Sequence, residues 1–308
     1  MSETIIEVKN LEKQYMKSKV LNDVSFEIKK EAIIGLVGPN GAGKTTIMKI
    51  LGGLTIPSAG TVSLYGAVDE KGLSKARSRM SFMIETPYAK ENMTARENLE
   101  KQRLQKGIPD KGRIDEVLKI VGLDNTGKKL VKNFSLGMRQ RLGIANALLS
   151  KPEIMIMDEP INGLDPEGIV EIRELLLKLN KEEHITIIIS SHILNELSLL
   201  CSEYIFIHHG KIIETINAND LKTKCKESYH IHTDKDSLAV AILQDKLNIT
   251  DFAVEEDGSI QVYEKLDDLR LISKTLYDNG VIPIALSMRE ANLEKYYMNM
   301  VGEQNCGI

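Results

Sequence analysis

Hydrophobic positions along this chain follow two different periods. Residues 5–8 and 20–28 read as strands, and the second sets Val20, Val24, Phe26 and Ile28 against polar neighbours in the two-residue period of a half-buried strand. Ala32–Val37 is instead continuously apolar and runs into a Gly-rich turn, the pattern of a strand covered on both faces. Thr45–Leu51 then has helical character. From about residue 90 to 150 the texture becomes Lys-rich and amphipathic, predicting helices over Thr94–Gly107, Arg113–Val121 and Leu136–Leu149. Short apolar runs return at Ile154–Met157 and Ile185–Ser190, with a helix over Pro166–Leu179 between them. Strands alternating with helices predict a parallel sheet with crossover helices.

After about residue 220 the pattern changes. Ser228–Thr233 is strand-like, Ser237–Leu247 helical, and Thr250–Val254 and Ser259–Tyr263 are strand-like around the turn dipeptide Asp257-Gly258. Leu266–Asn279 is helical, Ile282–Leu286 a strand, and a last amphipathic helix is expected over about 290–301. The order β-α-β-β-α-β suggests a small α+β domain of ferredoxin-like split topology. The expected division is a first domain over 1–220, with a helical insert at about 88–150, and an accessory domain over 225–308.

Composition narrows the functional classes. With 42% hydrophobic and 27% charged residues the chain reads as a globular protein. A net charge of −4 supplies no basic field, so no direct binding to nucleic acid is expected. Aromatic residues are only 5% and Trp is absent, which argues against a stacking surface for single strands. Cys201, Cys225 and Cys306 match no zinc or redox spacing and fit a reducing compartment. The first residues show neither a basic n-region nor an apolar h-region, so no signal peptide is expected. No apolar run approaches the ~20 residues of a membrane span, so any membrane work would need another chain.

Three segments carry chemistry. Gly38-Pro39-Asn40-Gly41-Ala42-Gly43-Lys44-Thr45-Thr46 fits the phosphate-loop pattern G-x-x-x-x-G-K-[ST], and it follows a strand and opens a helix. The glycines let the backbone turn its N–H groups toward phosphate oxygens, and the helix adds its positive N-terminal end. Lys44 is placed to reach the β- and γ-phosphates and Thr45 to ligate Mg²⁺. The apolar run Ile154–Met157 ends in Asp158 and Glu159. Adjacent carboxylates at a buried strand end are costly unless a cation or a reaction uses them. The first suits a Mg²⁺ site and the second a general base for water. His192 follows the apolar strand ending in Ser190-Ser191; alone it reads as structural, and beside the Asp-Glu pair it is placed to sense the γ-phosphate.

Over about residues 5–220 these segments resemble the ABC ATPase family. Phe134-Ser135-Leu136-Gly137-Met138-Arg139-Gln140-Arg141 is similar to the family signature L-S-G-G-Q, with Leu136 and Met138 at its flanking places. Alone, Ser135 is a helix cap; in order with its neighbours it reads as the signature serine. Asn162-Gly163-Leu164-Asp165 resembles the D-loop, His192 the switch histidine, and Tyr15 the aromatic that stacks on adenine. Where the family usually has Gln, this chain has Glu85, and no Gln occurs between Thr46 and Lys101. That carboxylate, the Ser135–Leu142 stretch and the C-terminal appendage resemble the bacitracin-resistance and lantibiotic-immunity exporters.

The resemblance implies a P-loop NTPase fold and hydrolysis of ATP with Mg²⁺. ATP contacts are expected from Tyr15, residues 38–46, Ser135 and Gly137; metal contacts from Thr45, Glu85 and Asp158; and catalytic roles for Lys44, Glu159 and His192. It also implies a head-to-tail homodimer sandwiching two ATPs, docked on a separate transmembrane permease at the cytoplasmic face of the cell membrane, with the coupling groove between Glu85 and the helical insert. A soluble ABC ATPase acting on ribosomes or DNA is the alternative. The first kind usually carries two ATPase domains per chain, and the second needs a long coiled-coil insertion that the stretch from Lys44 to Ser135 is too short to hold.

Overall fold

A computed structural model describes residues 3–16, 18–84, 89–191, 193–224, 228–255, 257–264, 269–289, 293, 296–298 and 300–301. The chain divides into two compact units, Met1–Ala218 and Asn219–Ile308.

The first unit opens with strands β1 (Thr4–Tyr15), β2 (Ser18–Lys29) and β3 (Ile33–Val37), then helix α1 (Lys44–Leu51). It continues with β4 (Ala59–Leu64), α2 (Glu70–Arg77) and β5 (Met80–Met83), followed by the helices α3 (Ala95–Gln105), α4 (Gly112–Ile120) and α5 (Leu136–Leu148). The rest is β6 (Ile154–Asp158), α6 (Pro166–Glu183), β7 (Thr186–Ser190), α7 (Leu194–Ser198), β8 (Glu203–His208) and β9 (Lys211–Asn217), with α8 (Ala218–Lys224) crossing into the second unit. Two sheets result. One is antiparallel in the order β2-β1-β4; the other is six-stranded, β5-β6-β7-β3-β8-β9, parallel except for β9. The apolar continuity of Ile33–Val37 and Thr186–Ser190 is accounted for, since both strands are buried throughout.

Helix α1 lies in the core that joins the two sheets. With eight residues it is too short to be stable alone in water. Ile47, Met48, Ile50 and Leu51 hold it by packing in one cluster with Ile6 and Leu64 of the small sheet and Ile34, Leu36, Ile154 and Ile156 of the large one. Each such side chain contributes about 1.5–3 kcal/mol relative to exposure. The turn that opens α1 is therefore anchored through the core.

The helical segment starts where the sequence suggested. Thr94 caps α3 in a reciprocal capping box with Glu97. The second unit runs β10 (Ser228–Thr233), α9 (Asp236–Leu247), β11 (Phe252–Val254), β12 (Ile260–Val262), α10 (Leu269–Asp278) and β13 (Pro283–Arg289), and its four strands form an antiparallel sheet in the order β11-β12-β10-β13. Its separate core gathers Tyr229, Ile231, Ile242, Leu243, Ile260, Val262, Ile272 and Leu276. Most of the helix expected over 290–301 lies outside the described residues. Among the described residues no helix is long and apolar enough to cross a membrane.

Candidate nucleotide site

The carboxyl ends of the adjacent strands β6, β7 and β3 meet at one edge of the parallel sheet, where open α/β sheets bind ligands. The loop after β3 is shaped by its glycines. A β-carbon at Gly38 would lie 2.2 Å from the Ile207 carbonyl oxygen, so no side chain fits there. Gly41 and Gly43 have φ of +82° and +112°, conformations that favour glycine, and a β-carbon at Gly43 would press within 2.6 Å of Leu21. Pro39, Asn40 and Gly41 are exposed, whereas Ala42, Gly43 and Lys44 are buried. The Lys44 ammonium donates to the carbonyls of Gly38 (2.6 Å) and Pro39 (3.1 Å). Burial pulls its pKa below the usual lysine value, opposed by the nearby charges of Glu159 and Asp158.

The acids arrive from β6. Thr45 Oγ1 donates to Asp158 Oδ2 at 2.6 Å, and the Ser190 hydroxyl donates to Asp158 Oδ1. Glu159 is the first residue past β6 and has φ +51°, a left-handed conformation costing a non-glycine residue about 1–2 kcal/mol. Its N–H is held by both the Ser190 carbonyl (3.2 Å) and Ser190 Oγ (3.0 Å). Sequence reasoning assigned Ser190 no role; the signal was a polar residue, fully buried in the structure, ending an apolar strand. His192 and Glu85 lie outside the described residues.

Ser135, Gly137 and Tyr15 stand elsewhere. Ser135 caps α5, its Oγ accepting from the Met138 N–H at 3.2 Å. A β-carbon at Gly137 would meet only Leu164, at 3.9 Å, which leaves the start of α5 open. A β-carbon at Gly163, whose φ of +75° belongs to the Asn162–Asp165 loop, would lie 3.3 Å from the side chain of Leu136, at the unusual flanking place of the signature. That loop is tied back by the Asn162 N–H donating to the Glu159 carbonyl (3.2 Å), and Asp165 caps α6 through Gly168 (3.1 Å). Among the described residues no hydrogen bond joins Ser135 or Gly137 to residues 38–46. Tyr15 is 44% exposed. Its hydroxyl lies 3.4 Å from Thr55 Oγ1, and the Lys13 ammonium sits 4.7 Å over its ring.

A glycine cradle opening a helix, a buried lysine and a hydroxyl–carboxylate pair form a receptor for a polyphosphate. A family model for ABC transporters matches residues 21–162. The bacitracin transport ATP-binding protein BcrA of Bacillus licheniformis is 41% identical over 304 residues, 99% of each chain. The chain belongs to the ATP-binding proteins of ABC transporters. The lantibiotic transport ATP-binding protein SrtF of Streptococcus pyogenes is 44% identical over 210 residues, 68% of this chain and 89% of the relative. Among solved structures, a dimeric post-hydrolysis ATP-binding cassette bound to ADP and Pi matches with a TM-score of 0.62 at 27% identity, covering 70% of this chain and 99% of that one. This ABC protein is an ATP-binding, ATP-hydrolysing subunit, and the α/β phosphate-loop fold read from its sequence is the fold it has.

Proposed function

We propose that this subunit powers export of an antimicrobial peptide of the bacitracin or lantibiotic kind through a separate membrane permease, from the cytoplasmic face of the membrane. The observation that carries the export reading is the match to a bacitracin transport protein through both units, over 99% of each chain.

Residues 38–46 would bind the phosphates of ATP through backbone N–H groups, with Lys44 turning from the loop carbonyls to phosphate oxygen. Tyr15, which is exposed, would stack on the adenine. Mg²⁺ fits the residues present: the Thr45 hydroxyl and the Asp158 carboxylate are hard oxygen donors already in contact, and Mg²⁺ needs no more protein ligands when phosphates and water complete its shell. The ion would neutralise phosphate charge. Glu85, outside the described residues, is proposed as a further Mg²⁺ ligand and as the coupling residue beside the helical insert. Glu159 would take a proton from the attacking water, and His192 would sense the γ-phosphate.

Ser135 and Gly137 belong to a second anion site at the start of α5, which would close on the ATP held by another copy in a head-to-tail homodimer. The exposed position of Ser135 and the open space around the half-buried Gly137 support that reading. We read the ATPase domain as 1–220, with its helical insert at about 88–150, and 225–308 as a ferredoxin-like accessory domain, in keeping with its β11-β12-β10-β13 order.

Glu159→Gln tests the mechanism. ATP should still bind, turnover should fall roughly 10²–10⁴-fold, and bacitracin resistance conferred together with the permease should vanish. Near-wild-type hydrolysis would remove Glu159 from the base role. Normal hydrolysis by the wild-type pair without resistance to bacitracin or any lantibiotic would reject the export substrate.

A further inference from the structure

We infer that Ser190 is a positioning residue for the Asp158–Glu159 pair; this rests on the reading of Glu159 as the base. The register of β6 against β7 places Ser190 directly beside Asp158. Ser190 is fully buried, so its hydroxyl has no access to water and must be satisfied inside the protein. A hydroxyl carries one proton and two lone pairs. The proton goes to Asp158 Oδ1, which leaves a lone pair for the Glu159 N–H at 3.0 Å. A carboxylate only accepts, and Asp158 accepts from Ser190 on one oxygen and from Thr45 Oγ1 on the other. One atom therefore fixes the carboxylate of the first acid and the backbone of the second.

The second contact matters because Glu159 leaves the strand in a left-handed conformation, φ +51°. Such a backbone persists only where its surroundings over-determine it. Ser190 holds the Glu159 N–H from two sides, through Oγ and through its own carbonyl. That anchor sets the direction in which the Glu159 side chain departs. Without the hydroxyl one hold is lost, Asp158 loses a donor, and the base can drift from its line with the water. Ser190 is fully buried, and the Thr45 hydroxyl still holds the other oxygen of Asp158, so the loss should fall on turnover more than on binding.

The test uses the full-length chain and turnover normalised to bound ATP, because a folding defect lowers the number of binding sites rather than the rate per site. Ser190→Ala should lower kcat per bound ATP by up to about 10²-fold, with KM for ATP changed by less than about threefold. Ser190→Thr, which keeps the hydroxyl, should regain most of the rate. In a Glu159→Gln background, Ser190→Ala should add little, since groups that act as one unit are not additive. Several results would overturn the assignment: wild-type turnover per site in Ser190→Ala, a Thr variant as slow as Ala, an equal loss in both backgrounds, or a loss explained by fewer sites. If Glu159→Gln itself turns over normally, the base reading fails first and takes this one with it.

Discussion

Lys44 shows how a single residue is prepared for a ligand at the expense of the empty fold. It is 6% exposed, and its ammonium rests on two carbonyls of its own loop. Burial lowers its pKa, so the folded state favours the charged form less than the unfolded chain does. Between the lowered and the ordinary lysine value the unfolded chain binds more protons, and this residue's contribution to stability rises with pH there. Below that window the buried charge is a cost that bound phosphate would offset. Removing it should therefore spare the empty protein while abolishing the response to ATP. Lys44→Ala should melt within a few degrees of wild type without nucleotide. Wild type should gain about 2.7 kcal/mol at a hundredfold excess of ATP over Kd, several degrees in Tm, and Lys44→Ala should gain almost nothing. A collapse of the nucleotide-free melting temperature would make Lys44 a structural residue.

At the scale of elements, the phosphate loop is held by a hairpin that the hydrophobic pattern did not announce. The turn between β8 and β9 donates the Gly210 N–H to the Ala42 carbonyl at 3.1 Å and accepts from the Asn22 N–H at 2.8 Å. A β-carbon at Gly210 would lie 2.2 Å from the Val20 carbonyl oxygen, and φ there is +74°. Gly210→Ala must therefore move β2 or release the loop. It should destabilise by about 1–3 kcal/mol and raise KM for ATP. Gly107→Ala is the control: it shares a positive φ of +65° but meets open space, so it should carry the backbone strain and leave KM unchanged. Equal KM in both variants would show that the hairpin does not position the loop. The same contrast explains what the sequence made legible. The strand before the loop, the loop and the acids after Ile154–Met157 were readable because side-chain type and spacing encode them. The three helices of the insert were readable from their apolar period, and Thr94 marked the start of α3. Strands β8 and β9 are not predicted, because the apolar run Tyr204–Ile207, unlike Ala32–Val37 or Ile154–Met157, is followed by no phosphate loop or acid pair that marks it as a strand of the parallel sheet. Strand β4 was missed because Ala59-Gly60-Thr61 is exposed and carries no apolar alternation. The braces on the site, Gly210 to Ala42 and Ser190 to Glu159, involve backbone atoms, and no spacing rule points to a backbone contact between distant segments.

For the whole molecule, two hydrophobic clusters imply two folding units. No residue of the cluster around Ile231 and Leu243 belongs to the one around Ile34 and Met48. Every described residue with a proposed part in nucleotide binding lies in the first unit. The similarity to the lantibiotic transport protein covers 89% of that relative with only 68% of this chain, so an ATP-binding unit of this kind exists with little else attached. A chain ending after Lys224, at the end of α8, should therefore fold, because it loses no member of the first core. It should melt cooperatively, bind ATP within about threefold of the full-length affinity, and keep the same Tm rise at a hundredfold excess of ATP over Kd. Resistance is a separate measurement. If the second unit serves the permease or the pairing of two copies, the truncated chain will hydrolyse ATP yet fail to protect cells, a split that assigns the accessory unit to transport. If the truncated chain is insoluble, or binds ATP only when residues 225–308 are supplied separately, the units depend on each other, and the independence argued from their cores is wrong.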